Sequence, residues 1–435
     1  MRADGSVREG CREALRDRYL AVRDATERLA EPLSAEDQQL QSMPDCSPVK
    51  WHRAHTTWFY EAFVLGPRGV APVDERWARL FNSYYEALGA RHPRGERGLL
   101  SRPSAEEVGQ YRRAVDRRVV EAIERCADED LDEVERLVRL GCAHEEQHQE
   151  LLLTDIKNAL WCSPLRPPYR TASGGPGAGA AAGELAAGHV VFDGGLQSVG
   201  AGADVVFAFD NERPRHRVWL EPFALDRAPV SHAALCAFIE DGGYETPSLW
   251  LSDGMAWVRE SGRRSPLYTE WEPGSLRVYT HDGMVEADPF APAMHLTLYE
   301  ADALCRYLGG RLPTEVEWEV ASGHAATEAV NDLGTGLLVS RAPALGAAAG
   351  ASRLAGMFGD VWEWTSSAYG PWPGYEAPPG AIGEYNGKFM VNQVVLRGGS
   401  CLTPPGHVRR SYRNFWPAAT GFQMTGVRVA RSPGA

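Results

Sequence analysis

LDEVERLVRLGCAHEEQHQELLLTDIKNAL, residues 131–160, returns to an apolar side chain every three or four positions, the period of a helix with one buried stripe. A stripe of that length needs a facing surface. Three more segments, 8–30, 47–65 and 104–127, carry the same period, so four amphipathic helices are predicted, a set that suits a bundle whose interior can hold inward-pointing ligands. Ser47-Pro48 and Ser104 are the predicted helix starts, each offering a capping hydroxyl, with a proline at the opening position of the first.

Past this region the composition shifts. Residues 163–188, SPLRPPYRTASGGPGAGAAAGELAAG, are mostly Pro, Gly and Ala and have too few bulky side chains to fold alone, so they read as a linker. Beyond it come short apolar runs broken by Gly, Pro, Asn and Asp, with many Trp and Tyr and only a few helical stretches, such as 231–241 and 297–308. The expected organisation is a helical domain over 1–162, a linker over 163–188 and an irregular α+β domain over 189–435, which makes a two-domain fold of α plus α+β class.

A formal net charge of -13 argues against nucleic-acid binding, because phosphate neutralisation needs clustered Lys and Arg. A small-molecule substrate is expected instead. No apolar run approaches the roughly 20 residues of a membrane span, and the opening MRADGSVREGCREALRDR lacks the apolar core of a signal peptide. The eight cysteines form no CxxC pair, as in a reducing compartment, so a cytoplasmic location is expected.

Chemistry concentrates in two short motifs. His144 and His148 of HEEQH are four residues apart on the predicted helix, so both rings leave one face with Cβ atoms about 5–6 Å apart, within reach of one ion. HEEQH also matches the HExxH pattern of zinc hydrolases. A third ligand at the downstream spacing of those enzymes is missing, and the candidates lie upstream, at His52 and His55 of WHRAHTTWFYE. Three imidazoles suit Zn(II) and Fe(II) alike, and spacing leaves both the metal and the choice between His52 and His55 open.

SPVKWHRAHTTWFYEAFVL, FNSYYEALGARHPRGERGLLSRPS and HEEQHQELLLTDIKNAL resemble the DinB-like helical domain of the nonheme-iron sulfoxide synthases of ergothioneine biosynthesis. GRLPTEVEWEVAS, GDVWEWTSS, VLRGGSC, YRNFW and TGVRVAR resemble that family's second domain, which is similar to formylglycine-generating enzymes and has a C-type-lectin-like fold. The resemblance implies Fe(2+) on His55, His144 and His148, in a DinB-like four-helix bundle. It also implies an O2-dependent coupling of a thiol to the imidazole C2 of hercynine, the trimethylated betaine of histidine, which leaves a sulfoxide.

Further roles follow from the same resemblance. A tyrosine is needed as proton donor, and Tyr84 and Tyr85 of NSYYE match one family variant, while Tyr385 of EYNGKF lies near the position used by another; the NSYYE pair is preferred. Gln147, Asn414, Phe415 and Trp416 resemble the positions that receive the betaine, whose quaternary ammonium favours aromatic faces. Arg91 and Arg94 are the expected clamps for the thiol substrate's carboxylates. Trp416 stands where some users of γ-glutamylcysteine have an acid, which brings free cysteine forward as donor. Trp362, Glu363, Trp364 and Arg397 to Ser400 are expected to be scaffold, and Cys305 and Cys401 do not form an evident pair. The competing expectations are a selenosugar-using synthase, an ovothiol-type synthase acting at histidine C5, a zinc hydrolase, and a non-catalytic ligand-binding protein.

Overall fold

A computed structural model describes residues 2–170, 188–325, 330–343 and 353–432, and the chain divides into two units, Met1–Tyr169 and Arg170–Ala435. Of the expected linker, 171–187 lie outside the described residues.

The first unit is helical. Its helices are α1 (Arg2–Ala30), α2 (Val49–Tyr60), α3 (Glu75–Phe81), α4 (Ala105–Arg125) and α5 (Leu131–Cys162). α1, α2, α4 and α5 pack on one another and occupy the four segments whose periodicity predicts helices, with α2 running on into a π-helical turn, Glu61–Leu65. Unlike these, α3 has no counterpart among the predicted helices, because 7 residues are too few for a 3.6-residue period to register.

Ser104 starts α4 as expected: its Oγ accepts from the Glu107 N–H at 3.2 Å while the Glu107 carboxylate accepts from the Ser104 N–H at 2.7 Å, a reciprocal cap. The start of α2 is different. Pro48 is its N-cap, and the Ser47 hydroxyl accepts from Arg97 at 2.9 Å instead of capping. Its N–H donates to Asp155 on α5 at 2.7 Å. A tertiary partner has taken the group that a cap would use.

Gly141, in the middle of α5, is placed by packing. A Cβ there would overlap the buried Tyr60 ring at the end of α2, so the glycine lets α2 close on α5 one turn before His144. A helical glycine costs about 1 kcal/mol in propensity, and this close approach offsets it.

The second unit is mixed and rich in loops. A four-stranded sheet runs Asn414–Trp416, Val394–Arg397, Trp362–Ala368 and Thr425–Gly426, in that order. Beside it are a three-stranded sheet of His189–Phe192, Phe223–Asp226 and Ala430–Arg431, a two-stranded ribbon and another three-stranded sheet. The predicted helical stretches appear as His232–Glu240 and Leu298–Tyr307.

Its core holds the residues expected as scaffold. Trp362 and Trp364 are buried, and the fully buried Glu363 pairs with Arg428 at 2.8 Å and accepts from Trp318 Nε1 at 2.8 Å. Arg397 pairs with Glu319 at 2.7 Å. Gly398 has φ +100°, and a Cβ there would meet the Met357 carbonyl oxygen at 2.6 Å, so this turn requires glycine. Cys305 and Cys401 are buried, and none of the eight cysteines is in a disulfide. No helix among the described residues is long and apolar enough to cross a membrane.

Candidate metal centre

His52 and His55 lie three apart on α2, and His144 and His148 four apart on α5. Both pairs point into the seam between the two helices. His55, His144 and His148 each bring one ring nitrogen within 4.8 Å of the others. The Nε2 atoms of His55 and His144 are 3.2 Å apart, about the separation of neighbouring nitrogen ligands on an ion with bonds of about 2.1 Å. His55 is held from behind. Its Nδ1 donates to the Phe81 carbonyl at 2.6 Å, which leaves the Nε2 lone pair facing the cluster, and its ring stacks on Trp51 at 4.5 Å between centroids.

His52 stands outside this trio. Its Nδ1 is 2.8 Å from His148 Nδ1 and its Nε2 is 3.0 Å from Asp155 Oδ2, so it lies between one histidine of the trio and a carboxylate.

The trio is electrically neutral by construction. Burial pushes the pKa of His55 and His148 well below that of free imidazole, with neighbouring rings adding to the effect, and burial pushes His144 down to about 3. Neutral imidazoles are the form that binds metal. Glu145 is rotated about 100° around α5 from His144 and faces away from the trio. Its Oε1 accepts from Thr26 at 2.7 Å and Arg112 at 2.8 Å, and its Oε2 from Arg23 at 2.9 Å. Although burial opposes ionisation, the two arginines hold its pKa down at about 2. A base with both oxygens committed in this way cannot serve a metal-bound water, as a hydrolase of the HExxH type requires.

An aromatic wall extends from the trio towards the NSYYE loop. Phe59 lies 4.5 Å from His144 between centroids, and the buried Tyr85 packs on Trp58 at 5.8 Å and Phe63 at 5.0 Å. Tyr84 is half-buried, with its hydroxyl 3.4 Å from that of Tyr85. Gln147 is half-buried, one position before His148. Arg91 is exposed and paired with Glu86 at 3.1 Å, and the exposed Arg94 donates to the Asp45 carbonyl. The buried arginine is the next one, Arg97, whose guanidinium carbon is 3.4 Å from the Trp51 ring centroid. Desolvation and the like charges of Arg94 and Arg91 push its pKa down to about 8, with Asp155 opposing.

Comparison with known proteins agrees with both units. Residues 18–152 match the DinB superfamily and residues 178–433 the Sulfatase-modifying factor enzyme 1-like domain. The chain is 32% identical to the hercynine oxygenase of Mycolicibacterium smegmatis, over 96% of this chain and 99% of that one. The chain belongs to the hercynine oxygenase family. A second member, from Mycolicibacterium thermoresistibile, is also 32% identical, over 94% of this chain and 93% of its own. A formylglycine-generating enzyme of Thermomonospora curvata is 26% identical over 58% of this chain and 95% of its own. As a family member the chain is an oxygenase and an oxidoreductase of ergothioneine biosynthesis, and its histidine trio is compatible with a metal cofactor.

The remaining residues singled out in this oxygenase lie in the second unit. Tyr385 is buried and stacks on Phe209 at 5.4 Å between centroids. Phe415 stacks on Tyr369 at 4.0 Å and lies 5.9 Å from Phe389, Trp416 packs edge-on to Phe422 at 5.3 Å, and the Asn414 side-chain oxygen accepts from the Phe415 N–H at 2.8 Å. Two residues of the first unit were missed by the sequence reading. Asp155 follows His148 by seven positions, two helical turns along the same face of α5, a spacing visible in HQELLLTD. Arg97 continues the three-residue step of Arg91 and Arg94.

Proposed function

We propose that this oxygenase is an iron(II)- and O2-dependent sulfoxide synthase that joins the sulfur of cysteine or γ-glutamylcysteine to the imidazole C2 of hercynine. The observation that carries this reading is the convergence of three neutral imidazoles, two of them buried and one half-buried, from two helices, in a chain related along nearly its whole length to hercynine oxygenases. The reaction balances: hercynine C2–H, the thiol S–H and O2 give the C–S bond, the S=O oxygen and one water. The reading takes the first unit as a DinB-like four-helix bundle and the second as a C-type-lectin-like domain.

His55, His144 and His148 would hold the ion. Iron(II) on three neutral ligands supplies redox chemistry with O2 and keeps coordination positions for the reactants. A tyrosine of the NSYYE loop serves as the proton source that favours sulfoxide over simple thiol oxidation to sulfinate; Tyr85, on the aromatic wall beside His144, and Tyr84, its hydroxyl neighbour, are the candidates, with Tyr385 as the alternative. Arg97, next to the trio through Trp51, receives the thiol substrate's carboxylate, with Arg94 and Arg91 as the outer cations. Gln147, Asn414, Phe415 and Trp416 are assigned to the betaine. The buried ion pairs of Glu145 argue against the zinc-hydrolase alternative.

The test is anaerobic iron loading followed by hercynine, O2 and either cysteine or γ-glutamylcysteine, with the product identified by mass. A coupled sulfoxide supports the reading. Coupling only to a selenosugar, or only at histidine C5, would replace it with one of the related chemistries, and sulfinate without coupling would make the protein a thiol dioxygenase.

A further inference from the structure

Asp155 is buried, and its Oδ2 does two things at once. It accepts the Ser47 N–H at 2.7 Å and lies 3.0 Å from His52 Nε2. Because an ionised carboxylate can only accept, the proton between Asp155 and His52 sits on His52 Nε2. In the neutral form of the ring the lone pair is then on Nδ1. Nδ1 of His52 is 2.8 Å from His148 Nδ1, a hydrogen-bond distance that needs one proton; a neutral His52 accepts it, so His148 carries it. With its proton on Nδ1, His148 keeps its lone pair on Nε2, the nitrogen left to join His55 and His144.

We infer that Asp155 and His52 form a two-step relay that fixes the tautomer and ring orientation of His148 and thereby sets the affinity and ligand geometry of the metal centre. The inference rests on the metal-centre reading above. A carboxylate that orients a ligating histidine directly is a common arrangement. Here a second imidazole stands between them, so the orientation is transmitted while the negative charge stays one ring away from the ligand. The same carboxylate oxygen also anchors the residue before the N-cap of α2, so the helix that carries His52 and His55 is pinned to α5 by the group that sets the relay. His55 is oriented separately, by the Phe81 carbonyl. His52 is therefore a positioning residue, and its place in the α2 motif is explained without making it a ligand.

The test uses the full-length chain and Co(II) as probe, with affinity read by chelator competition and ligand geometry by the visible spectrum. His52→Phe keeps a ring but removes the acceptor, and weakens Co(II) binding by about 10–100-fold with a shifted spectrum. His52→Asn restores an acceptor near the Nδ1 position and recovers most of the affinity. Asp155→Asn keeps an oxygen for both bonds and stays near wild type, while Asp155→Leu behaves like His52→Phe, so the contrast can be read at either position if one variant fails to fold. His144→Ala is the control for the centre itself. If it abolishes binding while His52→Phe and Asp155→Leu bind within twofold of wild type with the same spectrum, the relay is overturned and the metal centre stands. If His144→Ala binds Co(II) as tightly as wild type, the metal-centre reading falls and the relay with it.

Discussion

Arg97 lies flat on Trp51, its guanidinium carbon 3.4 Å from the ring centroid, and Trp51 stacks in turn on His55. The guanidinium donates to the Ser47 hydroxyl, and no carboxylate stands within ion-pair distance of it among the described residues. A buried cation without a counter-ion is costly to keep, and the protein keeps this one beside its candidate metal centre.

That cost gives the first prediction two readouts of opposite sign. Arg97→Met removes an unbalanced buried charge, so the substrate-free protein melts at the same or a higher temperature than wild type. The thiol substrate loses a charge-assisted hydrogen bond worth about 1.5–3 kcal/mol, so its KM rises by about 10–100-fold while that of hercynine changes little. Equal rises in both KM values would remove Arg97 from the thiol site.

The tyrosine pair separates coupling from simple oxidation. Tyr85→Phe keeps the ring packing on Phe63 and Trp58, both Tyr85→Phe and Tyr84→Phe keep the contact between the two rings, and each deletes only a hydroxyl. The residue that supplies the proton shifts the product from coupled sulfoxide towards sulfinate by about 10²-fold or more, the scale of general acid catalysis. An unchanged ratio in both variants moves the assignment to Tyr385, which is then tested in the same assay.

Legibility in the sequence followed the range of the interaction. His144 and His148 share a face because four residues are close to one helical turn, which is a local fact. His52 and His55 are equally placed on α2, and only the rotation of α2 against α5 puts one in the trio and the other between His148 and Asp155. The hydroxyl of Ser47 reads as a helix cap until Arg97, 50 residues away, claims it. Arg97 itself sits in a 3-10 segment, Arg94–Leu99, where no period says which of three arginines is buried. Asp155 was there to be read at two turns past His148, and only knowledge of the facing residue gives it meaning.

Glu145 makes a prediction about pH. Its pKa is held at about 2 by Arg23 and Arg112 against the raising effect of burial, whereas a carboxylate of an unfolded chain titrates near 4.3. The folded value is the lower one, so the stabilisation, on the order of 3 kcal/mol, is fully present above about pH 5 and is lost as pH falls towards 2. Glu145→Gln removes it at neutral pH, lowers stability by about 3 kcal/mol in urea titrations, and flattens the acid limb of the stability curve. A variant as stable as wild type at pH 7, with the same acid limb, would contradict this account of the HEEQH glutamate.

Gly141 tests whether the centre depends on how closely α2 approaches α5. In an isolated helix Gly→Ala stabilises by about 1 kcal/mol. Here the added methyl overlaps the ring of Tyr60, which has nowhere to go: the ring packs edge-on to Tyr19 at 4.9 Å, and its hydroxyl lies 3.6 Å from the Cys142 sulfur. Overpacking of this kind costs about 1–3 kcal/mol, so Gly141→Ala is destabilised on balance in spite of its better helix propensity. His144 follows Gly141 by three residues on the same helix, and His55 precedes Tyr60 by five on the other, so a helix pushed outward at Gly141 separates the Nε2 atoms that now stand 3.2 Å apart. Metal affinity should therefore fall together with stability, and the double variant Gly141→Ala with Tyr60→Leu, which removes the obstructing ring, should recover both. Recovery of stability without recovery of affinity would show that the metal centre depends on Tyr60 itself and not on the distance between the two helices.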